Sequence, residues 1–275
     1  MDLTFDTIIT VDWSGGHQRP VTPSADAIWA SVWRYGMQEM PMYFRNRQLV
    51  EFWLRVTLEE ELKFGRRVFV GFDFAFGFPE GFALALTGQD DPLALWGWLE
   101  DHIMDSPQAN NRFEVAGLMN APFDGVGPLW GNASSTDVEG LPRKGNDRTC
   151  TAFAEKRQVE TRTKGAFPVW QLAGAGAVGS QTLMGLPVLE RLRRRFAGKV
   201  SVWPFEPLDT PIAFVEVWPS LYADDIAKNA DVHAVKDAVQ VHTLTQIIAA
   251  MDAQTLGATL DVPPNVEGWI FGVPA

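Results

Sequence analysis

Apolar residues along this chain fall into runs of two kinds, one alternating or continuous over a few positions and one recurring every three or four. Residues 5–13 (FDTIITVDW) and 27–35 (AIWASVWRY), with a shorter run at 38–44, are β-branched or aromatic and bounded by Gly or Pro, as strands are. Residues 46–64 place apolar side chains at Leu49, Phe52, Trp53, Val56 and Leu62, close to the helical period, and Gly65 closes the run. The segment 66–76 (RRVFVGFDFAF) is apolar on both faces, the pattern of a central strand covered by helices. Helices are predicted over 92–104, 187–197 and 232–251, and strands over 199–204 and 212–217, with EGWIFG as a short closing segment. Residues 107–165 are rich in Gly, Asn, Asp and Pro and form a long irregular insertion. The order is three strands, a helix, a central strand, and later strands with helices between. It predicts an α/β domain covering 1–275, with a mixed sheet whose first three strands are antiparallel and whose later strands are parallel, flanked by helices.

Charge and cysteine usage limit the setting. The single cysteine, Cys150, excludes an internal disulfide, and no N-terminal stretch reads as a secretory leader, so a reducing, cytoplasmic environment is expected. Apolar runs stop well short of the roughly 20 residues that a membrane span needs. A net charge of −11 disfavours non-specific binding to a polyanion, so a nucleic-acid substrate requires a local basic patch. Two exist. Residues 143–164 carry Arg143, Lys144, Arg148, Lys156, Arg157, Arg162 and Lys164 against Asp147, Glu155 and Glu160. The other is Arg191, Arg193, Arg194, Arg195 and Lys199, which reads as the solvated face of a helix buried through Leu189, Leu192 and Phe196.

Four acids stand where acids are costly. Asp12 ends the apolar strand TIITVD, Asp73 sits in VFVGFDFAF, Glu216 in AFVEVWP, and Asp237 on the last long helix, with His233 and Gln240 spaced to share its face. If the first and fourth strands are neighbours, Asp12 and Asp73 face each other, and two such carboxylates need a cation between them. Oxygen-only ligands suit Mg²⁺ or Mn²⁺ and two-metal hydrolysis of a phosphodiester. Zinc is disfavoured, because one Cys and four His show no ligand spacing, and no G-x-S-x-G elbow supports a serine nucleophile.

With these residues in view, the chain resembles the domain-of-unknown-function 429 family of predicted nucleases, which has the RNase H-like fold. The resemblance rests on VDWSGG at 11–16, GFDFAFGFP at 71–79, VEVWPSL at 215–221, and KDAVQ at 236–240 with EGWI at 267–270. It implies an RNase H-like sheet and a metal-dependent nuclease or phosphodiesterase, with Asp12, Asp73, Glu216 and Asp237 as catalytic metal ligands. Gln240 departs from the pattern, standing where a second helix acid is expected and supplying no anionic ligand.

Phosphate-binding candidates follow from backbone and charge. The turn Ser14, Gly15, Gly16 after the first strand is one, and Arg143, Lys144, Arg148, Arg162 and Lys164 are a second group. Residues 174–179 spell G-x-G-x-x-G, but Gly185 and Pro187 interrupt the helix that a dinucleotide site needs. A tight turn, or a cradle for substrate phosphate formed by Gly174, Gly176, Gly179, Ser180 and Gln181, is the alternative. Among 11 tryptophans, most lie in apolar elements and read as core, including Trp29, Trp33, Trp53, Trp203 and Trp218. Trp13 and Trp130 are the substrate-contact candidates. A phosphate-containing partner, either a short nucleic acid or a nucleotide, is thus expected. Two other readings are an actin-like nucleotide-dependent phosphotransferase, which the acid and glycine turn after the first strand resemble, and a non-catalytic nucleotide or metabolite binder.

Overall fold

The structure, a computed structural model, describes residues 3–275. The chain falls into two compact units. The first comprises 1–73, 192–264 and 270–275, and the second 74–191 and 265–269.

The first unit is built on a seven-stranded mixed sheet. Its strands are β1 (Thr7–Asp12), β2 (Ile28–Arg34), β3 (Met37–Gln38), β4 (Met42–Phe44), β5 (Val68–Phe72), β6 (Val200–Val202) and β7 (Ile212–Glu216). The order is β3-β2-β1-β5-β7-β6, with β4 also on β2. β1 to β4 pair antiparallel, and β5, β7 and β6 continue parallel to β1. This is the mixed arrangement that the order of elements predicts. The central strands β1, β5 and β7 are buried along their whole length, which is why they read as continuous apolar runs.

Helices α1 (Arg47–Lys63) and α8 (Lys236–Ala250) cover opposite faces of that sheet. Alternate side chains of β1 show this. The Thr7 hydroxyl donates to Glu61 of α1 (2.6 Å), whereas the Thr10 hydroxyl donates to the Val241 carbonyl of α8 (2.9 Å) and bonds the Thr245 hydroxyl (2.6 Å). The helix α1 is capped by the Asn46 side chain, which accepts from the Leu49 amide. Its inward stripe is Val50, Leu54, Thr57, Leu58 and Glu61. The apolar stripe expected to be buried points the other way: Leu49, Phe52 and Val56 are 48%, 59% and 44% exposed. The buried face has an apolar stripe of its own, Val50, Leu54 and Leu58, each 0% exposed. Glu61 shares this face, and its fully buried carboxylate holds the Arg66 guanidinium through both oxygens (3.2 Å each), with Arg34 at 3.5 Å.

Between these elements lie α2 (Phe82–Thr87), α3 (Pro92–His102), α4 (Arg112–Asn120), α5 (Gln158–Arg162) and α6 (Val178–Arg195), which form the second unit up to Arg191. The remaining helices, α7 (Ala223–Lys228) and α9 (Ala253–Leu260), belong to the first unit. The stretch 107–165, expected to be irregular, contains α4 and α5. An aromatic cluster centred on Trp170 packs the second unit, with Phe82 at 4.9 Å and Phe78 at 5.4 Å between ring centroids. Buried Arg157 binds Glu160 (2.8 Å) and the Glu267 carbonyl (3.1 Å), and the Glu267 carboxylate accepts from the Glu80 amide (2.8 Å), so segment 265–269 is tied to this unit by charge. The helix over 187–197 begins earlier, at Val178, and runs through Gly185 and Pro187. A Cβ on Gly185 would fall 2.3 Å from the Phe74 ring, so this glycine serves close packing instead of ending the helix. No described helix is long and apolar enough to cross a membrane.

Candidate carboxylate site

Asp12 ends β1 and Asp73 directly follows β5. Val11 is paired with Phe72, and the Asp73 amide donates to the Val11 carbonyl (3.1 Å). The parallel register therefore sets the two aspartates side by side on the α8 face, at the carboxyl ends of their strands. Gly71 keeps this stretch of sheet tight, since a Cβ there would lie 2.8 Å from Val217 Cγ1. The two carboxyls hydrogen-bond to each other, and among the described residues no basic side chain is among the influences on either.

Burial is the main reason that Asp12 holds its proton well above the usual carboxylate range. The charges of Asp73 and Asp237 and the hydrogen bond to Asp73 add to it, and the Trp13 backbone opposes it. Burial likewise leads in raising Asp73 to about 7. The bond from Asp12 lowers it, while the charges of Glu216 and Asp237 raise it further. Asp12 is 9% exposed and Asp73 somewhat more, so the pair opens to solvent on the Asp73 side.

Asp237 reaches this end of the sheet because α8 is docked by Thr10 and Thr245 one and two turns further along. Its Oδ2 accepts from the Asp26 amide (2.8 Å). Burial raises its pKa, with the Asp26 amide opposing, the Asp26 charge adding, and Lys236 and Arg19 opposing. Glu216 is buried, but its register partner is Phe72, one position before Asp73, so side-chain alternation directs it to the other face. Of the four acids expected to converge, two touch, and Asp237 and Glu216 act on them through charge. Among the described residues, no three His, Cys, Asp or Glu side chains are grouped to hold a metal ion. The oxygen-only donors of Asp12 and Asp73 fit a hard divalent cation in kind, and they supply two ligands.

The turn after β1 is rigidly built. The Ser14 hydroxyl donates to the Asp26 carbonyl (3.0 Å) and accepts from the Gly16 amide (3.2 Å). Arg47, 4% exposed at the start of α1, donates Nη1 to the Ser14 and Gly16 carbonyls (2.8 and 2.6 Å). Asp26 has φ +52°, an uncommon conformation for a non-glycine residue, and its amide and carbonyl are both taken. Charge spacing gave no sign of this role of Arg47, because the groups it holds in the turn are backbone carbonyls.

Several expectations need correction. Trp13 is 1% exposed with its ring edge-on to Phe72 (6.2 Å), so it is core and no substrate contact. Trp33, Trp53 and Trp218 are half-buried, whereas Trp29 and Trp203 are core as expected. His233 lies before α8 begins and accepts from the Val235 amide, with its ring against Trp29, so it does not share a helix face with Asp237 and Gln240.

The other phosphate candidates all belong to the second unit. Arg143 binds Asp137 and the Asn132 and Ser134 carbonyls; Arg148 binds Glu155 through both terminal nitrogens and lies over the half-buried Trp130. Lys144, Arg162 and Lys164 are exposed, with Arg162 over the Trp269 ring. Four of the seven bases of 143–164, Arg143, Arg148, Lys156 and Arg157, are thus engaged inside the chain by carbonyls and neighbouring acids. The glycine segment is satisfied internally. Gln171 Nε2 donates to the Ala173 and Ala175 carbonyls, the Gly179 amide to the Gln171 carbonyl, and the Ser180 hydroxyl to the Leu172 carbonyl while it accepts from Arg112. Gly174 and Gly176 have positive φ, and the Phe167 ring fills the space where a Gly176 side chain would go. Only an isolated bridge, Trp130 with Gln171, precedes these glycines where a dinucleotide site has a strand. Gln181, next to Ser180, lies near the start of α6.

Comparison of the chain with protein-family models, with curated proteins and with solved structures finds no match in any of the three.

Proposed function

We propose that Asp12 and Asp73 hold a divalent cation, Mg²⁺ or Mn²⁺, and that this site hydrolyses a phosphodiester bond in a short nucleic acid or a nucleotide. One observation carries the reading: two carboxyls from adjacent parallel strands meet with no described basic side chain acting on them, so the site has room for positive charge that the described residues do not supply. The proton between them is the chain's own substitute for that charge. The sheet order and the resemblance in the motifs around Asp12 and Asp73 point the same way.

A bound cation would polarise a phosphoryl oxygen and lower the pKa of a coordinated water. The chain's residues do the rest. Asp12 and Asp73 release their shared proton and present two anionic oxygens, and Asp237, fixed by the Asp26 amide, deepens the negative potential that attracts a dication. Because two ligands touch and Gln240 adds no charge, the reading is for one cation, not the two expected from four converging acids.

Manganese titrated into the protein and followed by electron paramagnetic resonance, together with hydrolysis of bis(p-nitrophenyl) phosphate, tests this. Saturable Mn²⁺ binding and Mn²⁺-dependent hydrolysis are expected, both lost in folded Asp12→Asn and Asp73→Asn variants. Hydrolysis that persists in either variant, or a wild type that takes up no Mn²⁺, overturns it. The paucity of touching ligands favours a second reading, a nucleotide binder without hydrolysis; there ATP raises the melting temperature while the diester stays intact.

A further inference from the structure

Three arginines surround the turn after β1, and two of them hold backbone carbonyls there. Arg47 grips the Ser14 and Gly16 carbonyls from α1, and Arg45 Nε donates to the Arg19 carbonyl (3.0 Å). Arg19 is the third. Its backbone is clamped to Arg45 from both sides, since the Arg19 amide also donates to the Arg45 carbonyl (2.8 Å). Its guanidinium lies over the glycine turn, with Nη2 3.4 Å from where a Cβ on Gly16 would sit. Its Nε is buried and meets no hydrogen-bond acceptor. A buried N–H on a charged group without an acceptor is costly, and the cost is removed when a ligand brings an oxygen to it.

Placement gives this cation a purpose. The guanidinium acts on Asp237, so it stands within electrostatic reach of the carboxylate site. A site lined by Asp12, Asp73 and Asp237 repels an anionic substrate, and a fixed planar donor at its rim offsets that repulsion. We propose that Arg19 binds a phosphoryl oxyanion of the substrate above the Ser14–Gly16 turn, making it a substrate-binding residue beside the carboxylate pair. This deepens the phosphodiesterase reading and rests on it for the identity of the anion, but binding of the anion itself requires no metal.

The test uses the full chain in EDTA, with inorganic phosphate as probe and the arginine ¹H–¹⁵N Nε–H resonances as readout. Saturable phosphate binding that shifts one Nε–H signal, absent from the spectrum of Arg19→Gln, is expected. Charge-assisted hydrogen bonds of this kind predict a loss of affinity in Arg19→Gln of roughly ten- to a hundred-fold, with Arg19→Lys between. Mn²⁺ affinity should stay within about two-fold of wild type in Arg19→Gln, because the metal ligands are untouched. Phosphate binding equal in wild type and Arg19→Gln, or no saturable binding by wild type, overturns the proposal. A wild type that binds phosphate through Arg19 yet takes up no Mn²⁺ overturns the metal reading and leaves the anion site standing.

Discussion

Replacing Asp73 by Asn should make the metal-free protein more stable at pH 8 and leave it unchanged near pH 4. In the folded state Asp73 gives up its proton only at about 7, against an ordinary value of 3.8. The unfolded chain therefore releases a proton that the folded chain retains, and stability falls as pH rises across that window and levels off above it. At about 1.4 kcal/mol for each pH unit, the loss is at most about 4 kcal/mol; Asp73 reaches solvent on one side, and screening brings the figure to about 2 kcal/mol. An asparagine at 73 carries no charge to repel Asp12 and can donate its amide to the Asp12 carboxylate, so the contribution of Asp73 to this fall vanishes. Urea unfolding of both proteins at pH 4, 5, 6, 7 and 8 in EDTA gives the difference curve, in which titrations elsewhere cancel. Manganese at a hundred times its Kd should then add about 2.7 kcal/mol to the wild type and far less to the variant. A difference curve that is flat, or that rises in favour of the wild type with pH, refutes the claim that burial and the neighbouring acids hold the proton on Asp73.

Other expectations follow from packing. Glu61→Ala should cost about 2–3 kcal/mol by urea unfolding, because it takes from Arg66 its carboxylate and from the buried Thr7 hydroxyl its acceptor. On α1, Leu54→Ala should cost about 2–5 kcal/mol and Phe52→Ala no more than about 0.5, the reverse of what the apolar stripe in the sequence implies. Gly71→Ala should cost about 1–3 kcal/mol, since the new methyl meets Val217.

The sheet was legible and the site was half legible. Strands β1, β2, β5 and β7 stand out because burial on one or both faces leaves continuous apolar runs, and the acids that end β1 and follow β5 are conspicuous against that background. Their contact follows from the parallel register, which the order of elements implies. The side of Glu216 depended on a one-residue offset, Phe72 opposite Glu216, which no spacing along the chain reveals. The buried face of α1 was misjudged because the helix carries two apolar stripes, and the one that is buried, Val50, Leu54 and Leu58, also bears the acid Glu61. The roles of Arg47 and Arg19 were hidden for a related reason: one holds the carbonyls of the turn and the other lies over it, and spacing along the sequence marks neither placement. The division into two units was invisible as well, since one boundary falls between Arg191 and Leu192, inside α6.

Asp26 is fastened at its nitrogen to α8 and at its oxygen to the loop that starts at Ser14, and it holds a left-handed backbone that few residues other than glycine, asparagine and aspartate adopt. Any event that draws the Asp237 oxygen away unfastens one end of that residue. The stretch between Ser14 and Asp26, which includes Arg19, then keeps one of those two ties, so the firmness of that loop depends on where a single carboxylate oxygen of α8 stands.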